Sequence, residues 1–269
     1  MPRIRVRDLH VYYEFAGADT GEPVVLIMGL GGDHQGWLPA QVPSLTAAGY
    51  RCLLFDNRDV GRTDASPVPA YTVRTFADDT AGLLQALGIE RAHIVGGSMG
   101  GLIAQELALS HPELVRSLTL LSTMPCIDAL MRAFLAAMDA ARERLAPADV
   151  FTLGAPWLFT WRFFANPEAV LLARQMSLQN PYPQPLDAWR RQCAASLTHD
   201  SRTRLGQIRA PTHVVVGAED VLTPPHMSRL LAELIPGATL TIIPGGGHGT
   251  FIEQAAAQDA AMIGFLRRH

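Results

Sequence analysis

Residues 92–110 open with Ala92-His93-Ile94-Val95, an apolar run of strand length. They pass through Gly96-Gly97-Ser98-Met99-Gly100 and continue as a helical stretch, Met99 to Ser110, that stops before His111-Pro112. The pattern G-x-S-x-G carries little weight alone, because so short a pattern recurs by chance. Its position between a strand and a helix gives it meaning. A serine aimed out of a sheet's carboxyl edge needs a strained turn, and flanking glycines let strand and helix approach without side-chain clash. The plainer reading, a glycine-rich turn with a capping serine, weakens as the rest of the chain is read.

Working outward, the same strand-and-helix unit recurs. Pro23-Val24-Val25-Leu26-Ile27-Met28 is a continuous apolar run ended by Gly29-Leu30-Gly31-Gly32, as expected of a buried parallel strand. Arg51 to Asp56 is a second such run. Thr75 to Leu87 has helical periodicity and a glycine stop, and Val115 to Leu121 is again a strand. At the amino terminus, Ile4-Arg5-Val6-Arg7 and His10 to Phe15 alternate, which predicts an antiparallel pair at a sheet edge. From about Met124 to Gly206 the rhythm breaks. Asp128 to Leu145 and Leu186 to Leu197 read as helices, and no buried strand is evident. It resumes with strand Thr212 to Gly217, helix Pro225 to Ile235, strand Ala238 to Pro244 and helix Phe251 to Arg268. The expectation is an α/β fold with a doubly wound, mostly parallel sheet. Residues 1–123 and 206–269 form the core, and residues 124–205 form a helical cap inserted into it.

The 269 residues suit one large α/β domain with an insert. A hydrophobic fraction of 48% with 17% charged residues excludes a mainly disordered chain. Net charge is −3 and the arginines are scattered, so nothing predicts a nucleic-acid surface. Cys52, Cys126 and Cys193 have no C-x-x-C spacing, which predicts neither a disulfide framework nor a zinc site. No apolar h-region follows the amino terminus and no apolar run reaches the ~18 residues of a membrane span. The expected location is cytoplasmic, away from membranes.

A serine hydroxyl needs an adjacent base to become a useful nucleophile. Of the nine histidines, His248 stands in Pro244-Gly245-Gly246-Gly247-His248-Gly249, on a glycine-rich loop after the last strand. That puts it at the same sheet edge as Ser98, where it is expected to be exposed. His34 and His226 share that edge but come in the wrong chain order, and His93 and His213 lie in strands. The base needs a carboxylate to fix its tautomer. Asp220, after strand Thr212 to Val216, is the natural partner, with Glu219 and Asp128 as weaker alternatives. Ser98…Asp220…His248 is the chain order expected for a G-x-S-x-G turn in this kind of sheet. Backbone N–H groups of Met99 and Leu30 are the expected oxyanion donors. Gly29-Leu30-Gly31-Gly32 lacks the lysine and spacing of a phosphate-binding loop.

These segments, with Phe55-Asp56-Asn57-Arg58-Asp59-Val60-Gly61-Arg62-Thr63 and Gly217-Ala218-Glu219-Asp220, resemble the α/β-hydrolase superfamily. More narrowly they resemble its small bacterial carboxylesterases, including enol-lactonases and polyketide methylesterases. The resemblance covers about residues 20–123 and 206–260. It implies the fold, the triad roles and the lack of a cofactor or metal. Two positions depart from the usual pattern. Met28-Gly29 stands where His-Gly is common, and Asp59 and Thr63 replace the glycine and serine of D-x-R-G-x-G-x-S. Serine at 98, rather than aspartate, argues against a dehalogenase or epoxide hydrolase.

Trp157, Trp161 and Phe164 lie on one face if the insert is helical there, and are candidates to line an apolar substrate pocket; Phe159 and Phe163 lie nearby. No arginine or lysine is clearly aimed at the site, so no substrate carboxylate is predicted. The expected activity is acyl transfer on a small, mainly apolar ester or lactone. The rival readings are a C–C hydrolase or perhydrolase with the same triad, and a non-catalytic ligand receptor on this scaffold.

Overall fold

A computed structural model describes residues 2–269. The sheet follows from the apolar runs. Strand β1 is Arg3–Val6, β2 Leu9–Ala16, β3 Glu22–Ile27, β4 Tyr50–Phe55, β5 Ala92–Gly97, β6 Val115–Leu121, β7 Thr212–Gly217 and β8 Thr239–Ile243. They form one eight-stranded sheet in the order β1-β2-β4-β3-β5-β6-β7-β8. The first two strands are antiparallel to each other, and β2 is antiparallel to β4. All other pairs are parallel. The alternating amino-terminal stretch is thus the antiparallel edge, as its pattern predicts.

Helices α1 (Gln41–Ala47), α2 (Val73–Ala86), α3 (Met99–Ser110), α9 (Pro225–Leu234), α10 (Thr250–Glu253) and α11 (Ala255–Leu266) belong to the sheet layers. Period-two alternation divides the core between two faces. Val25 and Ile27 of β3 pack with α2, α3 and α9. Val24 and Leu26 pack with α1 and α11 on the other face. Strands buried on both sides need continuous apolar runs, which is why β3, β4 and β5 were legible. The carboxyl-terminal helix expected from Phe251 to Arg268 is instead two helices that meet at Gln254, whose φ and ψ are −130° and 36°.

Between β6 and β7 lie α4 (Ala129–Arg144), α5 (Pro147–Leu158), α6 (Trp161–Phe164), α7 (Pro167–Leu178) and α8 (Leu186–Leu197). They add no strand to the sheet; the one pairing there is an isolated bridge between Cys126 and Asp200. Asp128 is the N-cap of α4, accepting from Met131 N–H at 2.8 Å. No helix among the described residues is long and apolar enough to cross a membrane.

Candidate active site

Ser98 joins β5 to α3 with φ 54° and ψ −118°, a left-handed setting that costs a non-glycine residue on the order of 1–3 kcal/mol. Surrounding bonds hold it there: Ser98 N–H donates to Leu121 O at 2.9 Å, and Thr123 Oγ1 donates to Ser98 O at 2.8 Å. The glycines are required sterically. A Cβ on Gly96 would lie 2.2 Å from Gly100 O, and one on Gly100 would lie 2.0 Å from Ile27 O.

The structure brings Ser98, Asp220 and His248 together. Ser98 Oγ–H can donate to His248 Nε2 at 3.1 Å. On the other side of the ring, His248 Nδ1 lies 3.0 Å from Asp220 Oδ2 and 3.2 Å from Oδ1. A carboxylate only accepts, so the hydrogen sits on Nδ1 and the Nε2 lone pair faces the serine. His248 is buried rather than exposed, at 7%. Its loop is pressed against β7, since a Cβ on Gly217 would lie 2.2 Å from Gly246 O. Burial pushes the Asp220 carboxyl up, but the adjacent His248 and the bonds from Thr223 more than offset this and hold it below its ordinary range.

Thr223 also binds Asp220. Its hydroxyl donates to Asp220 Oδ2 at 2.6 Å and can accept from His248 Nδ1 at 3.2 Å. The N–H groups of Leu222 and Thr223 reach Asp220 Oδ1 at 2.9 and 2.8 Å. Thr223 was not singled out from sequence, although Asp220-Val221-Leu222-Thr223 has the spacing of an Asp-anchored turn. The alternative acids are committed elsewhere. Glu219 pairs with Arg162 at 2.6 Å, and Asp128 caps α4. Of the other histidines, His34 is tied through Nδ1 to Asp56 at 2.7 Å and His226 is exposed.

Leu30 and Met99 line the same cavity as Ser98. The Gly29 turn passes beside Ser98, since a Cβ there would come 3.1 Å from Ser98 Cβ. Among the described residues the Leu30 N–H donates to no protein acceptor. Met99 is the first residue of α3, where an N–H has no intrahelical acceptor.

The profile of the alpha/beta hydrolase fold family matches residues 22–255. The chain belongs to the α/β-hydrolase family. It is 34% identical over 258 residues to BpoC of Mycobacterium tuberculosis H37Rv, named as a candidate non-heme bromoperoxidase, covering 92% of this chain and 94% of that one. It is 35% identical over 266 residues to RutD of Caulobacter sp. K31, named as a candidate carbamate hydrolase, covering 95% of each. The crystal structure of the enol-lactonase from Burkholderia xenovorans LB400 matches with a TM-score of 0.88 at 26% identity, over 99% of this chain and 100% of that one.

Within this α/β-hydrolase chain, the aromatic lining expected from sequence is corrected. The cavity at Ser98 is lined by Leu102, Met124, Ile127, Met131 and Leu135, with Thr123, Ser196 and Thr223 as its polar members. Trp161 is 67% exposed and Phe164 is 39% exposed. Trp157 packs on Phe134 and borders a different hollow of about 360 Å³, beside Asp220 and Val221, that does not include Ser98. The three share no face because the helix breaks at Phe159 and Thr160. Leu158 O accepts from Gly249 N–H at 2.7 Å. Glu253 accepts from Thr160 N–H and Oγ1 at 2.9 and 2.8 Å, and from Gly247 N–H at 3.1 Å. The insert therefore interrupts its helix to clasp the His248 loop.

The departure at Asp59 also has a structural counterpart. Asp59 keeps a glycine-like φ of 69°. Its carboxylate accepts a bidentate pair from Arg191 of α8, at 2.8 Å each, and a 2.6 Å bond from Tyr71. A carboxylate that ties the insert to the core replaces the freedom of glycine.

Asp33, His34 and Asp56 are close enough together to be considered as metal ligands. Their oxygens and Nδ1 already serve one another, Gln35, Arg62 and Asn180, which is the bonding of a structural knot.

Proposed function

We propose that this protein is a serine hydrolase that cleaves a carboxylic ester or lactone of a small, mainly apolar substrate through an acyl-enzyme. The observation that carries the reading is the linear relay from Ser98 Oγ through His248 to Asp220, opening on an apolar cavity. In the first half-reaction His248 Nε2 takes the Ser98 proton as Oγ attacks the carbonyl carbon. The N–H groups of Leu30 and Met99 stabilise the oxyanion. His248 then protonates the departing alcohol oxygen; in the second half-reaction it takes a proton from the water that attacks the acyl carbon and returns it to Ser98 Oγ as the acyl–Oγ bond breaks. Asp220 holds the tautomer and stabilises the imidazolium. Residues 124–205 act as the cap that closes the apolar side.

The cavity is small, about 40 Å³, whereas a cavity that accepts benzene is on the order of 150 Å³. This supports a short acyl group. The lining carries no charged side chain, which supports a neutral one. The name of the enol-lactonase neighbour supports an acyl carbon bonded to oxygen in a ring. The test is turnover of p-nitrophenyl acetate by wild type and Ser98→Ala. A loss of several orders of magnitude is expected, and near-normal turnover by the variant overturns the reading.

A second reading is favoured by the bromoperoxidase name of the relative that is 34% identical. In it, hydrogen peroxide replaces water in attacking the acyl-enzyme and a peracid leaves. Acetate- and peroxide-dependent halide oxidation that disappears with Ser98→Ala would support it.

A further inference from the structure

We propose that Gln192, on insert helix α8, is a positioning residue for the oxyanion turn, an inference that rests on the acyl-transfer reading above. Its side chain is fully buried, at 0% exposure, and both ends of its amide are used. Nε2 donates to Arg58 O at 2.8 Å, and Oε1 accepts from Gly31 N–H at 3.1 Å.

Gly31 follows Leu30 directly. Residues 29–32 form a β-turn closed by a 3.2 Å bond from Gly32 N–H to Gly29 O. Gly31 has φ 70°, the setting of the third residue of a type II turn. Type I and type II turns differ mainly by a flip of the central peptide, here Leu30–Gly31. Gln192 Oε1 holds the N–H of that peptide and so selects the type II form. The preceding peptide, which carries the Leu30 N–H, is held by the Gly32 bond to Gly29 O. Two consecutive peptides are thereby pinned, and the Leu30 N–H stays on the Ser98 side. Without Gln192 the central peptide is free to rotate about ψ of Leu30 and φ of Gly31, and the neighbouring peptide that carries the donor is left with the Gly32 bond as its one tether, so the Leu30 N–H is held less firmly in place. Substrate binding in the apolar cavity would be little altered, so the effect belongs in kcat rather than KM.

Arg191, the preceding residue, supplies the control, because its bond to Asp59 ties the same helix to the core without touching the turn. The experiment measures kcat, KM and Tm with p-nitrophenyl acetate for Gln192→Met, Gln192→Glu, Arg191→Met and Ser98→Ala. Gln192→Met keeps the length without the amide, and kcat is expected to fall about tenfold at unchanged KM. Gln192→Glu matches both bonds only when one carboxyl oxygen carries a proton for Arg58 O, so its kcat relative to wild type should rise as pH is lowered. Arg191→Met should lower Tm while kcat stays within about twofold. In wild type, hydrogen exchange should show the Gly31 amide protected, a readout that needs no variant to fold. The proposal is overturned if Gln192→Met keeps its kcat, if Arg191→Met loses as much kcat as Gln192→Met, or if the Gly31 amide exchanges like a free loop. Full turnover by Ser98→Ala would instead overturn the acyl-transfer reading itself.

Discussion

The Thr223 hydroxyl donates to Asp220 Oδ2 at 2.6 Å, so Asp220 is held by its own turn as well as by His248. Thr223→Val keeps the shape and removes this donor. A hydrogen bond to a charged group contributes roughly 1.5–3 kcal/mol, so ester turnover should fall about tenfold. Thr223→Ser should restore most of it. Steady-state kinetics of the two variants check this.

Asp220 and Glu219 are neighbours in sequence with opposite surroundings. Asp220 is buried against His248, while Glu219 pairs with Arg162 on the surface. Asp220→Asn should cut kcat by about four orders of magnitude, because the histidine loses its tautomer. Glu219→Gln should leave kcat unchanged, since an exposed pair is worth ~0–1 kcal/mol of stability. Equal effects of the two substitutions would remove Asp220 from its role.

Stability should fall in mild acid. Burial holds His199 down to about 4, with Glu106 opposing, and holds His213 down to about 4, with Arg268 reinforcing and Thr239 opposing. In the unfolded chain both titrate near the ordinary histidine value of about 6.5. Between these values the unfolded state binds more protons, so stability is fully present above about pH 6.5 and is lost as pH falls toward 4. The depressed Asp220 carboxyl acts in the same direction at still lower pH. Urea midpoints at pH 7.5 and 5 should differ clearly in wild type and less in a His199→Gln, His213→Gln double variant.

The cavity wall at Met131 and Leu135 comes from α4. Met131→Ala should admit longer acyl chains and raise the butyrate-to-acetate rate ratio roughly tenfold, because one methylene in an apolar pocket is worth about 1–3 kcal/mol. It should also cost on the order of 2–5 kcal/mol of stability. An unchanged ratio across a p-nitrophenyl ester series would place the acyl group elsewhere.

The sheet was legible because strands buried on both faces must be continuously apolar, as in residues 23–28 and 92–95. The three candidate residues were legible because each follows a strand of the parallel part of the sheet, although β8, before His248, is an only partly buried edge strand. The polar bonds of Gln192 to Gly31, Arg191 to Asp59 and Glu253 to Thr160 join residues 161, 132 and 93 positions apart, which no local pattern announces. The same contacts explain the misread aromatics. The spacing of Trp157, Trp161 and Phe164 fits one helix, but the clasp on the His248 loop breaks that helix at Thr160. The Asp59 departure was visible in the sequence, while its partner Arg191 was visible only in the fold.

The central claim is that the Ser98 hydroxyl, 3.1 Å from His248 Nε2, is an activated nucleophile. Intact-mass analysis of folded protein treated with a fluorophosphonate tests it most directly. The account predicts a single phosphonyl adduct that maps to Ser98, is abolished by Ser98→Ala and is strongly slowed by His248→Ala. Folded wild-type protein that takes up no adduct, or takes it up equally after Ser98→Ala, would contradict it.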